Sequence, residues 1–490
     1  MDYDYLSLDP DDWDGFRRLA HKILDDMIDY QQNISENTSS FPTQSAFMNI
    51  CSPLPEDGEG EEEAYKVFKK SILPHLLNNN IRPRFWGAVV GTGSPFGMMA
   101  ELLRGGVNSN LEALNSAGLV HNQVIEWIKQ MLDYPKEAGG VIVSGGSEAN
   151  FTALAVARNS KARVDMKAKG MQGLPSKMTL YVGDGGHHCL ERSVELLGIG
   201  NENLRWIPTD DNYRIKINKL VEAIEEDKKA GCHPFCIVGN AGTVDTGAFD
   251  DFNALAELAL KENMWLHVDG AFGAWVKLSE NHRHLADGME RADSIAVDLH
   301  KWMYMPYGIG CTLIKDKLSH YATFVYGHEA RYLKSGFDRV KAQGDHLSNP
   351  HNLALPLSRE FRSLNAYMIL RAYGRRRFSR LIQKNLDQAK YLAKLIEESG
   401  DLEFTAPVIS NVVCFRYNPG GLSEEALEKL NKTISQGIND VIFWMFSDTT
   451  VKGKYSLRAA VTNHRSRKSD FEYAVSLVRD LGRKAVEAMK

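Results

Sequence analysis

Three kinds of sequence signal are absent from this 490-residue chain. No apolar run is long enough to cross a bilayer. There is no charge excess: the formal net charge is -5, which offers no basic field for nucleic acid and none for an acidic membrane surface. Paired cysteines are missing too. The six cysteines (Cys51, Cys189, Cys232, Cys236, Cys311 and Cys414) are scattered, and only Cys232 and Cys236 are close, with no second pair to complete a metal knuckle. They read as reduced thiols in a cytoplasmic protein. The opening Met1-Asp2-Tyr3-Asp4 is acidic and has no apolar core, which predicts no secretion signal. No internal repeat is visible, and the length suits two or three domains.

What is present has a clear order. Residues 8–33 carry Trp13, Phe16, Leu19, Ile23, Met27 and Ile28 near helical spacing, and a second helix is expected over 63–77. Between them lie Pro42, Pro53, Pro55 and the acidic run Glu59 to Glu63, a solvated stretch. Residues 1–85 have no core of their own, so they are expected to form a helical arm packed on a partner subunit. The segment Arg82 to Pro95 holds Gly91 and Gly93, but the spacing to Gly97 is wrong for a dinucleotide turn and Pro95 interrupts a helix start. It reads as a loop lining a pocket. A helix over 111–131 follows. Strands are then expected at Val141–Val143, Thr179–Val182, Leu204–Ile207, Phe235–Gly239, Trp265–Asp269, Ile295–Val297 and Ile309–Ile314, alternating with helices. Repeated βα units predict an α/β fold with a mainly parallel sheet covered on both faces, over residues 86–373. The polar stretch from Tyr321 to Pro356 reads as a mobile active-site loop. Residues 374–490 switch to a helix–strand pattern expected of a smaller α+β domain.

In open α/β sheets, ligands bind beyond the carboxyl ends of the strands. This chain places there Ser144-Gly145-Gly146-Ser147, His187-His188, Gly242-Thr243, Asp269 and His300-Lys301. The Gly-Gly turn at a helix start is either a phosphate cradle of backbone N–H groups or a plain cap by Ser147. Asp269 ends an apolar strand and needs a cationic partner, either a protonated ring nitrogen or an arginine. His187 is placed to lie flat on an aromatic ligand, or else is a surface histidine. His267 and Asp269 share strand parity but lack a third nearby ligand with His300, so no metal is expected. Lys301 follows a hydrophobic strand into a cleft. A desolvated amine there has a lowered pKa and forms Schiff bases. Phosphate cradle, stacking imidazole, ring-nitrogen carboxylate and reactive lysine together describe a site for pyridoxal 5'-phosphate.

The runs Gly145-Gly146-Ser147-Glu148-Ala149-Asn150, Asp184-Gly185-Gly186-His187, His267-Val268-Asp269-Gly270-Ala271, Asp293-Ser294, His300-Lys301-Trp302 and Pro356 to Leu364 carry a resemblance. From Trp13 to the last helix the chain resembles the group II pyridoxal-phosphate-dependent amino-acid decarboxylases, close to aromatic-L-amino-acid decarboxylase. The resemblance implies fold type I and a homodimer with its active site at the subunit interface. It implies Lys301 as the Schiff-base lysine, Asp269 on the pyridinium nitrogen and His187 stacked on the ring. Gly146, Ser147 and His300 would hold the phosphate, Ala271 would pack on the ring's other face, and Thr243 would reach the ring oxygen. The implied reaction is loss of CO2 from an L-amino acid through a substrate Schiff base, giving the amine.

Two departures from the family pattern stand out. Asp298 replaces an asparagine near the phosphate. The span Gly344 to Leu355 also lacks the tyrosine with which many relatives reprotonate Cα. His346, His351 or Tyr332 is the substitute donor, or the reaction becomes an oxygen-dependent decarboxylation-deamination to an aldehyde. The apolar Trp86, Ala88 and Val89 are expected to line an aromatic substrate pocket, while Arg82 and Arg84 keep glutamate open.

Overall fold

The computed structural model describes residues 7–36, 40–76, 80–110, 115–325 and 349–489. The chain divides into two compact units, Met1–Pro83 and Arg84–Lys490. In the first, the helix Trp13–Gln32 is capped by Asp12 and has no buried residue. Asp26 on this helix accepts hydrogen bonds from the Tyr65 hydroxyl (2.6 Å) and Lys69 Nζ (2.8 Å). The expected second helix is shorter than its periodicity predicts. It covers Glu61–Val67 and passes through a wide turn, Phe68–Ile72, to Leu73–His75, where Pro74 cannot donate the next helical bond.

In the second unit, apolar runs with no polar alternation become strands buried on both faces. They are β1 (Gly139–Val143), β2 (Met178–Gly183), β3 (Leu204–Ile207), β4 (His233–Asn240), β5 (Trp265–Asp269), β6 (Ser294–Asp298) and β7 (Gly310–Ile314). Their order is β1-β7-β6-β5-β4-β2-β3. The pairs β2–β3, β2–β4, β4–β5 and β5–β6 are parallel, and only β7 runs antiparallel to its neighbours β1 and β6. The mainly parallel sheet expected from the βα repeat is therefore present, with β7 reversed. The helices Gly146–Lys161, Cys189–Leu196, Ile217–Lys229 and Phe252–Lys261 alternate with the strands.

A second, antiparallel sheet has the order β10-β11-β9-β8, built from β8 (Leu402–Phe404), β9 (Val412–Tyr417), β10 (Ser447–Val451) and β11 (Lys454–Ala460). The helices Glu424–Val441 and Lys468–Met489 pack on it with the end of the long helix Ser363–Ser399. That long helix breaks at Gly374 (φ 68°, ψ 159°), a left-handed position open to glycine at little cost.

The helix Pro95–Val107 corrects the expectation that Pro95 blocks a helix start. Ser94 caps it by accepting the Gly97 N–H at 3.1 Å. Proline at the first helical position loses nothing, because its missing N–H would have had no partner within the helix.

Candidate active site

The strand ends converge as the parallel topology requires. After β1 the chain turns through Ser144-Gly145 into the Gly146–Lys161 helix, and Glu148 closes the turn by accepting the Ser144 N–H at 2.7 Å. Only glycine fits this turn. A Cβ on Gly145 would lie 3.0 Å from His300 Cε1, and one on Gly146 would lie 2.7 Å from Asp298 Oδ2 and 2.9 Å from Ala271 Cβ. The turn, Ala271, Asp298 and His300 therefore touch. The Gly91 loop lies on the same spot, for a Cβ at Gly91 would sit 1.5 Å from the His300 carbonyl oxygen. The loop therefore packs against the backbone at His300.

β6 ends in Asp298, whose N–H donates to the Ala271 carbonyl at 3.1 Å. Its side chain is 1 % exposed and pairs with Lys301 Nζ at 2.9 Å. Its other oxygen, Oδ1, is buried with no hydrogen-bond partner. Burial acts to lower the Lys301 pKa, but the charge and hydrogen bond of Asp298 outweigh it and the net shift is upward. The expected lowered amine pKa is thus reversed, because desolvation brought a counter-ion with it.

Asp269, at the end of β5, is buried and accepts the Ala271 N–H at 3.1 Å through Oδ1. No hydrogen bond engages its second oxygen among the described residues. His187 accepts the Cys189 N–H at Nδ1 (3.0 Å), which fixes its proton on Nε2. Burial lowers its pKa, partly opposed by Asp269. His300 is buried, accepts the Ile309 N–H at Nδ1 (3.3 Å) and lies against Tyr307. Thr243 is buried, with its hydroxyl oxygen accepting the Ala248 N–H at 3.0 Å. Its methyl would lie 3.1 Å from a Cβ on Gly185, beside the His187 turn. Ser147 is exposed in the first turn of its helix.

Other expected site residues lie elsewhere. Trp86 is fully buried, stacks on Phe471 (4.4 Å between centroids, 11°) and donates Nε1–H to Ser466 Oγ at 2.9 Å. It belongs to the core of the second sheet, so its expected place in the substrate pocket is corrected: no face of the indole is left for a substrate. Ala88 and Val89 are half-buried, and Val89 packs against the main core. His351 Nδ1–H donates to the Leu357 carbonyl at 2.6 Å. His346 and Tyr332 lie outside the described residues. Arg84 pairs with Asp470 at 2.8 Å. His267 is a satisfied core histidine, donating to Asn150 Oδ1 (2.7 Å) and accepting from Ser294 Oγ (2.9 Å), and burial brings its pKa to about 4.

Cys189 and Tyr307 were not singled out in the sequence. Both feel the charges of Lys301 and Asp298, and burial raises both pKa values, that of Cys189 to about 12. A Cys two residues after the strand-end histidine was the available signal.

These residues fit pyridoxal phosphate. The glycine turn stands at the start of a 16-residue helix whose cap, Gly145, offers no side-chain acceptor, so the first N–H groups suit an anion. Asp269 retains an oxygen for a ring N–H, and Lys301 supplies a primary amine.

The comparisons agree. The family model for the pyridoxal-dependent decarboxylase conserved domain matches residues 52–418. Aromatic-L-amino-acid decarboxylase of Bacillus atrophaeus is 31% identical over 456 residues, 92% of each chain. Phenylacetaldehyde synthase of Arabidopsis thaliana is 27% identical over 93% of each chain. Among solved structures, Catharanthus roseus tryptophan decarboxylase in complex with L-tryptophan superposes with a TM-score of 0.85 at 25% identity, covering 97% of this chain and 100% of that one. The chain belongs to the pyridoxal-dependent decarboxylase family and is a carboxy-lyase that uses pyridoxal phosphate on a fold-type-I scaffold.

Proposed function

We propose that this enzyme removes CO2 from an aromatic L-amino acid and releases the amine. The observation that carries the reading is the convergence of Lys301, Asp269, His187 and the Gly145–Gly146 turn on one cleft, in a chain whose relatives act on aromatic amino acids. Lys301 would supply the amine that binds the cofactor. Asp269 would hold a proton on its ring nitrogen, and His187, Ala271 and Thr243 would contact the ring. Gly146, Ser147 and His300 would hold the phosphate. Bound pyridoxal phosphate supplies an electron sink for the pair left when the Cα–carboxylate bond breaks. The chain's part is to hold that bond across the ring plane and then return a proton to Cα.

A second reading has its own support: the similarity to a phenylacetaldehyde synthase and the lack of a tyrosine in residues 344–355. In it, the same bond cleavage is followed by oxygen-dependent deamination to the aldehyde. His346 and His351 are the candidate proton donors of the first reading. The protein is further read as a cytoplasmic homodimer in which the N-terminal arm packs on the partner. Exposed apolar side chains on that arm support the pairing.

The test is a panel of L-amino acids assayed together for CO2, amine and peroxide. Tryptophan, tyrosine or phenylalanine should give CO2 and amine in equal amounts. Peroxide in step with CO2 would move the enzyme to the second reading. The purified protein should show an absorption band that borohydride removes, and Lys301→Ala should lose both band and turnover.

A further inference from the structure

Asp298 is the acid that departs from the family pattern, and the structure puts its carboxylate against the amine on which the chemistry depends. Lys301 Nζ is 2.9 Å from Oδ2, and Oδ1 is buried without a partner. The carboxylate is boxed in by backbone: a Cβ on Gly146 would lie 2.7 Å from Oδ2, and one on Gly310 would lie 2.8 Å from Oδ1. A buried carboxylate with one oxygen unsatisfied lacks part of the hydrogen bonding that would offset its desolvation.

An ammonium cannot attack a carbonyl, so Lys301 must lose a proton first. We propose that Asp298 is the positioning residue for Lys301, holding its ammonium beside the Gly145–Gly146 turn and taking the Nζ proton when the amine adds to an aldehyde. The proton passes from Nζ to the carboxylate, which leaves a neutral amine and a carboxylic acid. The amine lone pair forms the C–N bond while the C=O electron pair moves to oxygen, which takes the amine's next proton. Asp298 then returns its proton to that hydroxyl, which departs as water, and the restored carboxylate faces the cationic C=N. The inference rests on the reading of Lys301 as the amine that engages the cofactor.

Other titratable groups also face the pair, and of these Asp269 adds to the upward shift of Lys301. Asp269 faces it from the end of β5, His187 and Cys189 from the turn and helix after β2, and His300 and Tyr307 from the turn after β6. Burial holds both histidines below their ordinary range and raises the thiol and the phenol. Those directions keep the four neutral between pH 7 and 9, and the upward shift of Lys301 keeps its ammonium over the same range.

The experiment uses the full-length chain freed of cofactor and benzaldehyde, a probe with no titrating group. The adduct on Lys301 is trapped with cyanoborohydride and quantified by peptide mass mapping. The expected trapping rate is constant within about twofold from pH 7 to 9, because transfer inside the pair changes no proton count. Asp298→Asn cannot take the proton. It should be at least about tenfold slower at pH 7 and should climb with pH, closing the gap toward pH 9. A wild-type rate that rises about tenfold per pH unit overturns the proposal, as does an Asn variant that matches wild type at pH 7 or is slower with a flat profile. If the variant does not fold, the wild-type profile decides alone. Borohydride reduction of the holoenzyme separates the two claims. Cofactor found on a lysine other than Lys301 sinks the reading of that residue, whatever the profile of its ion pair.

Discussion

A tryptophan sealed between Phe471 and Phe446, with its N–H on Ser466, contributes to stability and has no face left for a ligand. Trp86→Phe removes that hydrogen bond and leaves the Ser466 hydroxyl buried with one partner fewer. The expected loss is about 1–3 kcal/mol, read as a lower urea midpoint, with KM for the best amino acid within about twofold of wild type. A tenfold change in KM at unchanged stability would return Trp86 to the pocket. Trp86 also marks where reading residues one at a time stops working. An aromatic beside a glycine loop suits a pocket and a core equally well. The deciding partners, Phe471 and Ser466, lie about 380 residues away in the chain. Lys301, Asp269 and His187 stand out as candidates because each ends or follows an apolar strand. Asp298 was visible as an oddity, but its pairing with Lys301 depends on a side-chain approach that no spacing rule encodes.

Among elements, the turn after β1 is the most constrained. Gly146 opens a helix, where alanine is ordinarily preferred by about 1 kcal/mol. Here its Cβ would press on Asp298 and Ala271 at 2.7 and 2.9 Å, so the substitution overpacks a closed site. Gly146→Ala is expected to weaken pyridoxal-phosphate retention at least tenfold, the equivalent of about 1.4 kcal/mol and within the usual cost of overpacking. Equilibrium dialysis of the cofactor checks it; unchanged retention would mean the turn yields freely and is no cradle. The same scale explains which elements were readable. β1, β2, β4, β5 and β6 are apolar and buried on both faces, so composition alone marks them. β10 is Ser447-Asp448-Thr449-Thr450-Val451, a polar edge strand with only its last residue buried, and nothing in its pattern separates it from a loop. The direction of β7 escaped for a different reason. An apolar run fixes burial but not polarity, and β7 reverses because the connection from β6 is a turn too short for a crossover helix.

On the scale of the molecule, the N-terminal unit is short of core. Its longest helix buries nothing, while Trp13 is 58 % exposed, Phe41 73 % and Leu54 90 %. So many large apolar side chains left to solvent within one short unit support the proposal of an interaction surface there. The proposed occupant is a second copy of the chain. Light scattering at micromolar concentration should then give twice the chain mass. Charges placed on the face, as in Phe41→Glu combined with Phe47→Glu, should shift the enzyme toward monomer, since each buries a carboxylate in an apolar contact. Because the reading puts the active site at the subunit interface, turnover should fall in step with the dimer fraction across a dilution series. A wild-type monomer with full turnover would sink the dimer and the arm's role together. A dimer whose mass and activity ignore both charges would keep the assembly and move its interface away from residues 41–47.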